Sequence, residues 1–183
     1  MTRTRWGAIA VVAYVATIIA ANVLTAKYAP WFVLGIAITP GTWLIGPSFV
    51  ERDLVQLAYS KSAAYACVVV ALGVNFAMSR HYGDLAWITF ASACAFAISA
   101  VIDTEAFTRL RRRLPERVAV SGVGAGLLDS IVFVIVGLSP LTTGIVAWGD
   151  VWRVIVAQVI VKSLTVAVCS LPFYRRRAAP TTC

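Results

Sequence analysis

The chain predicts an all-α, polytopic membrane fold, and three observations carry that expectation. It is 60% hydrophobic and only 13% charged over 183 residues, with a mean hydropathy of +0.84, whereas a soluble domain of this length needs far more polar surface. Its apolar residues gather in six blocks, each near the roughly 20 residues that an α-helix needs to cross about 30 Å of hydrocarbon. No alternation of the barrel-strand kind appears, so helices must satisfy the backbone polar groups in lipid. Residues 1–183 read as a single transmembrane domain with six spans.

The first block, 6–24, follows "MTRTR". Its apolar part exceeds the roughly 7 to 15 residues of a signal peptide and more spans follow, so a retained helix is expected. The second, "WFVLGIAITPGTWLIGPSFVERDLVQLAY" at 31–59, is too long for one straight crossing and is interrupted by Pro40-Gly41 and Gly46-Pro47. Proline removes a backbone donor and clashes with the preceding turn, so a re-entrant lead-in and then a helix from about Leu44 are expected. Such a break marks either a binding site or a packing kink. The remaining spans are 62–78, 85–107, 121–141 and 151–173.

The net charge of +8 raises the question of nucleic acid, which the placement of the cations answers. With six spans, one side receives Arg3, Arg5, Arg52, Lys61, the run "RLRRRLPER" at 109–117 and Arg175, Arg176 and Arg177; the other receives only Lys27, Arg80 and Arg153. Lys and Arg accumulate in cytoplasmic loops, so both termini are expected in the cytoplasm. The basic run then serves topology and lipid headgroups, and no nucleic-acid partner is expected.

Several chemistries find no residues to support them. Cys67, Cys94 and Cys169 fall within spans and Cys183 in the tail, without C-x-x-C spacing, so neither disulfides nor a metal site is expected. His81 stands alone in the loop "SRHYGD", where solvation is its ordinary state. No phosphate-binding or zinc-protease motif occurs, and no nucleophile–base pairing stands out at a common depth; no cofactor and no enzyme are expected.

What remains is a set of polar residues inside apolar helices. An ionisable side chain at mid-bilayer costs roughly 2.5 to 3.5 kcal/mol on insertion scales, so it faces a partner or a wet cavity. Asp129 lies about eight residues from the inner end of the fifth span and Lys162 about eleven from that of the sixth. At about 1.5 Å per residue these depths nearly coincide, so the two can pair. Gln158 and Lys162 share a face with Thr165, and Phe133 stands one turn beyond Asp129. Gly122 and Gly126 leave that flank open to a neighbouring helix. Asp103 lies nearer the cytoplasm on the fourth span, and Asn22 near the outer end of the first. Asp53 sits in "ERDL", where Glu51, Arg52 and Asp53 also fit an interfacial helix end.

The strings "AAN", "FVERDLVQLAY", "ASACAFAISAVIDTEAFTRLRRR", "SGVGAGLLDSIVFVIVGL" and "AQVIVKSLTVAVCSLPFY" resemble the vitamin uptake transporter family, whose best understood members are queuosine precursor transporters. The resemblance covers nearly the whole chain, with D-x-x-x-F-x-R-L-R and D-[ST]-x-x-F its more specific elements. It implies a multi-pass inner-membrane importer of 7-deazaguanines, such as 7-cyano-7-deazaguanine or 7-aminomethyl-7-deazaguanine, for tRNA or DNA modification. The implied fold is similar to the substrate-binding components of energy-coupling-factor transporters. Carried over, the resemblance points to Asn22, Asp53, Asp103, Asp129, Phe133 and Lys162 as substrate-binding residues, with Gln158 beside them.

The ligand chemistry agrees, since a 7-deazaguanine presents N1-H and a 2-amino group side by side and one carboxylate accepts both. Two other classes stay open: a binding subunit for a vitamin-like compound docked on an energy-coupling ATPase module through a small-residue face such as Ala16-x-x-x-Ala20, and a small membrane enzyme. A homo-oligomer is also admitted.

Overall fold

A computed structural model of the chain describes residues 3–28, 31–33, 36–79, 86–111 and 113–178. In chain order these form α1 (Arg3–Lys27), β1 (Trp31–Val33), β2 (Ile36–Ile38), α2 (Thr42–Ala58), α3 (Lys61–Ser79), α4 (Ala86–Arg109), α5 (Leu114–Phe133), a π-helical turn (Val134–Leu138) and α6 (Trp148–Ala178). Among the described residues, four helices are long and apolar enough to cross a membrane, over Arg5–Thr25, Phe90–Arg109, Leu114–Leu138 and Trp148–Pro172; α3 offers a shorter apolar stretch, Lys61–Ala77. The chain is a multi-pass membrane protein. Of the six expected spans, α2 departs most from the pattern, because its 17 residues include Glu51, Arg52 and Asp53.

The second block corrects the sequence expectation in two places. Its lead-in is an antiparallel hairpin, with Trp31 opposite Ile38 and Val33 opposite Ile36; aromatic and β-branched residues at these positions favour the strand. The helix then begins at Thr42, and Pro47 lies inside it rather than breaking it. The bond lost at proline is offset by the tight packing of this helix, which buries Gly46, Ser48, Phe49, Val50, Arg52, Asp53 and Val55. Arg52 and Asp53 are fully buried within the bundle rather than solvent-facing.

The fifth span also begins earlier than expected, at Leu114, with Pro115 in the first turn, where its missing donor costs nothing. The basic run is therefore divided between two helices. Arg109 ends α4, whereas Arg117 belongs to α5 and stacks on the Phe107 ring, 4.1 Å from its centroid, donating from Nε to the Phe107 carbonyl at 3.1 Å. Arg80, His81 and Cys183 lie outside the described residues. Cys67, Cys94 and Cys169 are free thiols.

In the bundle α2 packs between α1 and α6, α5 between α4 and α6, and α3 covers α1, α2 and α4. Apolar residues form its inner clusters: Tyr14, Ile18, Val55, Val68, Phe96 and Ala100 in one, Phe49, Phe107, Val118 and Val166 in another, and Phe133, Val134 and Leu138 with α4 and α6 in a third. Apolar residues also cover the outside, with Val12, Val69, Phe76, Leu164 and Val168 largely exposed, as a lipid solvent requires.

Close helix approach rests on missing Cβ atoms. A Cβ on Gly46 would stand 2.8 Å from the Lys162 carbonyl oxygen and against the Thr165 hydroxyl; one on Gly122 would stand 2.9 Å from Val166 Cγ1. At Gly126 the distance to Lys162 Cβ is 3.4 Å, an ordinary contact that keeps α5 against α6. The π-helical turn after Phe133 displaces backbone carbonyls from their usual partners, and side chains take them up. Trp87 Nε1 donates to Val136 O at 3.0 Å, Thr142 to the same oxygen at 2.8 Å, and Thr143 to Gly137 O at 2.7 Å. We expect Gly46→Ala to lower stability by about 1 to 3 kcal/mol, the range for overpacking. Gly73→Ala and Gly124→Ala, whose added Cβ meets nothing within 4 Å, should be neutral or stabilising; thermal unfolding in detergent of the three variants checks the contrast.

Candidate functional site

Helical spacing places the polar residues of α5 and α6 face to face. Asp129 and Phe133 are one turn apart on α5, and Gln158 and Lys162 one turn apart on α6. The Lys162 ammonium donates to Asp129 Oδ2 at 2.7 Å, Ser130 Oγ at 2.9 Å and Gln158 Oε1 at 3.2 Å. An ammonium has three protons and all three find acceptors. The lysine is buried at 2% exposure and Asp129 at 6%, so the pair is an internal one and Lys162 does not snorkel.

Two polar groups beside this pair keep spare capacity. Asp129 Oδ1 receives only a 3.4 Å contact from Ser99 Oγ, at the weak limit of hydrogen bonding. Gln158 Nε2 is buried without a hydrogen-bond partner. Both residues line a narrow cavity with Phe133, Lys162 and Asn22, and with Thr39, Gly41 and Thr42 from the segment after the hairpin. Its volume is about 30 Å³, room for water but not for a bicyclic base, since ligand pockets reach about 300 Å³ or more. Gly41 explains the tight closure: a Cβ there would run into the Ala21 carbonyl and the Thr25 hydroxyl of α1.

Asn22 reaches the cavity from α1 and is held on three sides. Its amide donates to Ile18 O at 2.9 Å and to Asn75 of α3, and its oxygen accepts from Ser92 of α4 at 3.3 Å. Asn75, Ser92, Ser99 and Ser130 were not among the residues singled out from the sequence. Asn75 carried a signal, as the amide in "VVVALGVNFAM", whereas serines in membrane helices commonly bond their own backbone and so give none.

Asp103 and Asp53 do not line the cavity. They belong to a second buried cluster toward the basic end of the bundle, around Arg52 of α2. Arg52 Nη2 forms an ion pair with Asp103 and lies 3.8 Å from Asp53 Oδ1; Arg52 Nη1 donates to Ala100 O at 3.1 Å. Ser121 of α5 donates to Asp53 Oδ2 at 3.3 Å. The resemblance-based set thus divides, with Asn22, Asp129, Phe133, Gln158 and Lys162 at the cavity and Asp53 and Asp103 at Arg52.

Breaking a buried pair from one side strands the other charge at about 3 to 5 kcal/mol. We expect Lys162→Met to be destabilised by that order. Adding Asp129→Leu should recover most of the loss in thermal unfolding, while leaving any function of the pair abolished.

No curated protein and no solved structure matches the chain significantly. A family model described as "Putative vitamin uptake transporter" matches residues 8–176, a span that contains both buried clusters and the helices that carry them. The chain belongs to the vitamin uptake transporter family.

Proposed function

We propose that this transporter imports a 7-deazaguanine queuosine precursor, either 7-cyano-7-deazaguanine or its 7-aminomethyl counterpart. The observation that carries the reading is the pairing of an under-used acceptor, Asp129 Oδ1, with a buried donor lacking a partner, Gln158 Nε2, on the wall of one cavity. A 7-deazaguanine offers the complement, with N1-H and a 2-amino group for the carboxylate and a ring carbonyl for the amide. Lys162 holds Asp129 in place through their 2.7 Å contact, and hydrogen bonds to a carboxylate paired in this way are charge-assisted. Phe133 supplies a stacking face, a contact worth roughly 1 to 3 kcal/mol per base in single-strand binding proteins.

The cavity must widen to admit such a ligand. The segment Thr39–Thr42 and the end of α1 around Thr25 are the part of its wall that can separate without breaking a buried ion pair. Transport then alternates between this closed cavity and one opened on that side. In this reading the chain makes six crossings with cytoplasmic termini, supported by the charge asymmetry of the loops and by α2 and α3 packing with the four apolar helices. Co-purification with an ATPase module would instead favour a binding subunit for a vitamin-like compound.

Titration calorimetry with 7-cyano-7-deazaguanine tests the ligand. Asparagine at position 129 still offers its oxygen to Lys162 but turns an amide toward the ligand, replacing an acceptor by a donor. Asp129→Asn should therefore lose about 1.5 to 3 kcal/mol, roughly ten-fold to more than a hundred-fold in affinity. An analogue without the 2-amino group should bind the parent protein weakly and discriminate little on the variant; equal losses on both would reject the assignment. Topology is checked separately. A cysteine placed at Arg111 should resist impermeant labelling of intact cells, and ready labelling would invert the orientation.

A further inference from the structure

The two buried clusters differ in charge balance. At the cavity, Asp129 and Lys162 neutralise each other. Around Arg52 they do not: Asp53 and Asp103 are both at 0% exposure and share one guanidinium. Widening the circle leaves the imbalance. From α5, Arg117 is within electrostatic reach of Asp53, but its guanidinium is committed to the Phe107 carbonyl; from α2, half-buried Glu51 adds a carboxylate, bonded to Thr17. In direct reach, then, two fully buried carboxylates share the single guanidinium of Arg52, while Arg117 and Glu51 stand further out and are bonded elsewhere. Among the described residues the other titratable neighbours are Tyr14 of α1, Cys67 and Tyr65 of α3 and Cys169 of α6, all neutral in their ordinary state, with Tyr65 donating to Glu105. An uncompensated carboxylate inside a membrane bundle relieves itself by taking a proton.

Geometry selects which carboxyl does so. Asp103 is in direct contact with Arg52, whereas Asp53 Oδ1 lies beyond hydrogen-bond reach of it and has no other partner. The hydroxyls of Tyr14 and Thr104, both at most 1% exposed, also lack partners, and Tyr14 lies within electrostatic reach of Asp53. We infer that Asp53 binds an exchangeable proton in this second cluster and that the proton drives uptake. The site communicates with the cavity through consecutive residues of α4: Ser99 donates to Asp129, and the Ala100 carbonyl accepts from Arg52. A ligand that displaces Ser99 from Asp129 therefore disturbs the residue next to Arg52's anchor, and the release of the proton from Asp53 to cytoplasmic water completes the cycle. The coupling part rests on the transport reading above; the proton site does not.

Infrared spectroscopy of the full chain in lipid bilayers, without ligand, reads the proton directly. Wild type at neutral pH should show the C=O stretch of a protonated carboxylic acid, shifted in D₂O. Glu51→Gln should keep it and Asp53→Asn should lose it. Asp103→Asn should also lose it, because Asp53 is then the remaining close counter-ion of Arg52 and ionises. Absence of the band in wild type, or its survival in either Asp53→Asn or Asp103→Asn, would overturn the inference. In proteoliposomes, wild type should accumulate 7-cyano-7-deazaguanine against its gradient when the exterior is acidic, and a protonophore or Asp53→Asn should abolish accumulation. Accumulation that ignores the protonophore or follows sodium would overturn the coupling. Wild-type protein that shows the band but takes up no deazapurine in any gradient would sink the ligand reading alone, since the band reports the proton without a ligand.

Discussion

The buried pair of Asp129 and Lys162 is the constraint around which the rest of the bundle is arranged. Neither charge is tolerable alone in a medium with no water to solvate it, so α5 and α6 must meet at one depth and in one rotation. The lysine's remaining protons then demand acceptors, which Ser130 and Gln158 supply. Gly126 allows the approach by leaving only a Cβ-sized space against Lys162, and Gly46 lets α2 close on the same turn of α6 from the other side. A preference for these contacts over lipid cannot come from the hydrophobic effect, since tails are as apolar as valine or leucine. It comes from charge neutralisation and from backbone approach.

A second polar centre lies along the same helices, and its difference from the first is one of stoichiometry. The pair at the cavity is closed in charge but open in hydrogen bonding, with an acceptor and a donor to spare, which is the basis of the neutral polar ligand proposed for it. The Arg52 cluster does not line the cavity, and in it two fully buried carboxylates share the Arg52 guanidinium, which is the basis of the proton site inferred there. Adjacent residues of α4 touch both, which gives a bundle with little internal space a short mechanical route between them.

Irregular backbone is concentrated around the cavity. The segment Thr39–Thr42 that follows the hairpin lines one side, and the π-helical turn begins directly after Phe133. In a hydrocarbon setting each displaced carbonyl needs a named partner, and Trp87, Thr142 and Thr143 provide them. These devices let the wall beside Phe133 differ from a plain helix surface without leaving polar backbone groups in lipid.

The sequence by itself determined the membrane class, the order of the helices and the Asp129–Lys162 pair. All three follow from quantities that are additive along one helix: hydropathy, length and depth. It also marked Gln158, which shares a face with Lys162 by spacing alone. Tertiary structure decided what no single helix encodes. That Asp103 meets Arg52 depends on the rotation of α2 against α4, and the burial of Arg52 depends on neighbouring helices that its own segment does not encode. The hairpin was hidden because short apolar runs are ambiguous between strand and helix. Pro47 looked like a break because its local penalty is visible in sequence, while the α6 contacts that outweigh it are not. The division of seven candidate residues into a cavity and a separate charge cluster was likewise settled by helix rotation, which one-dimensional spacing leaves free.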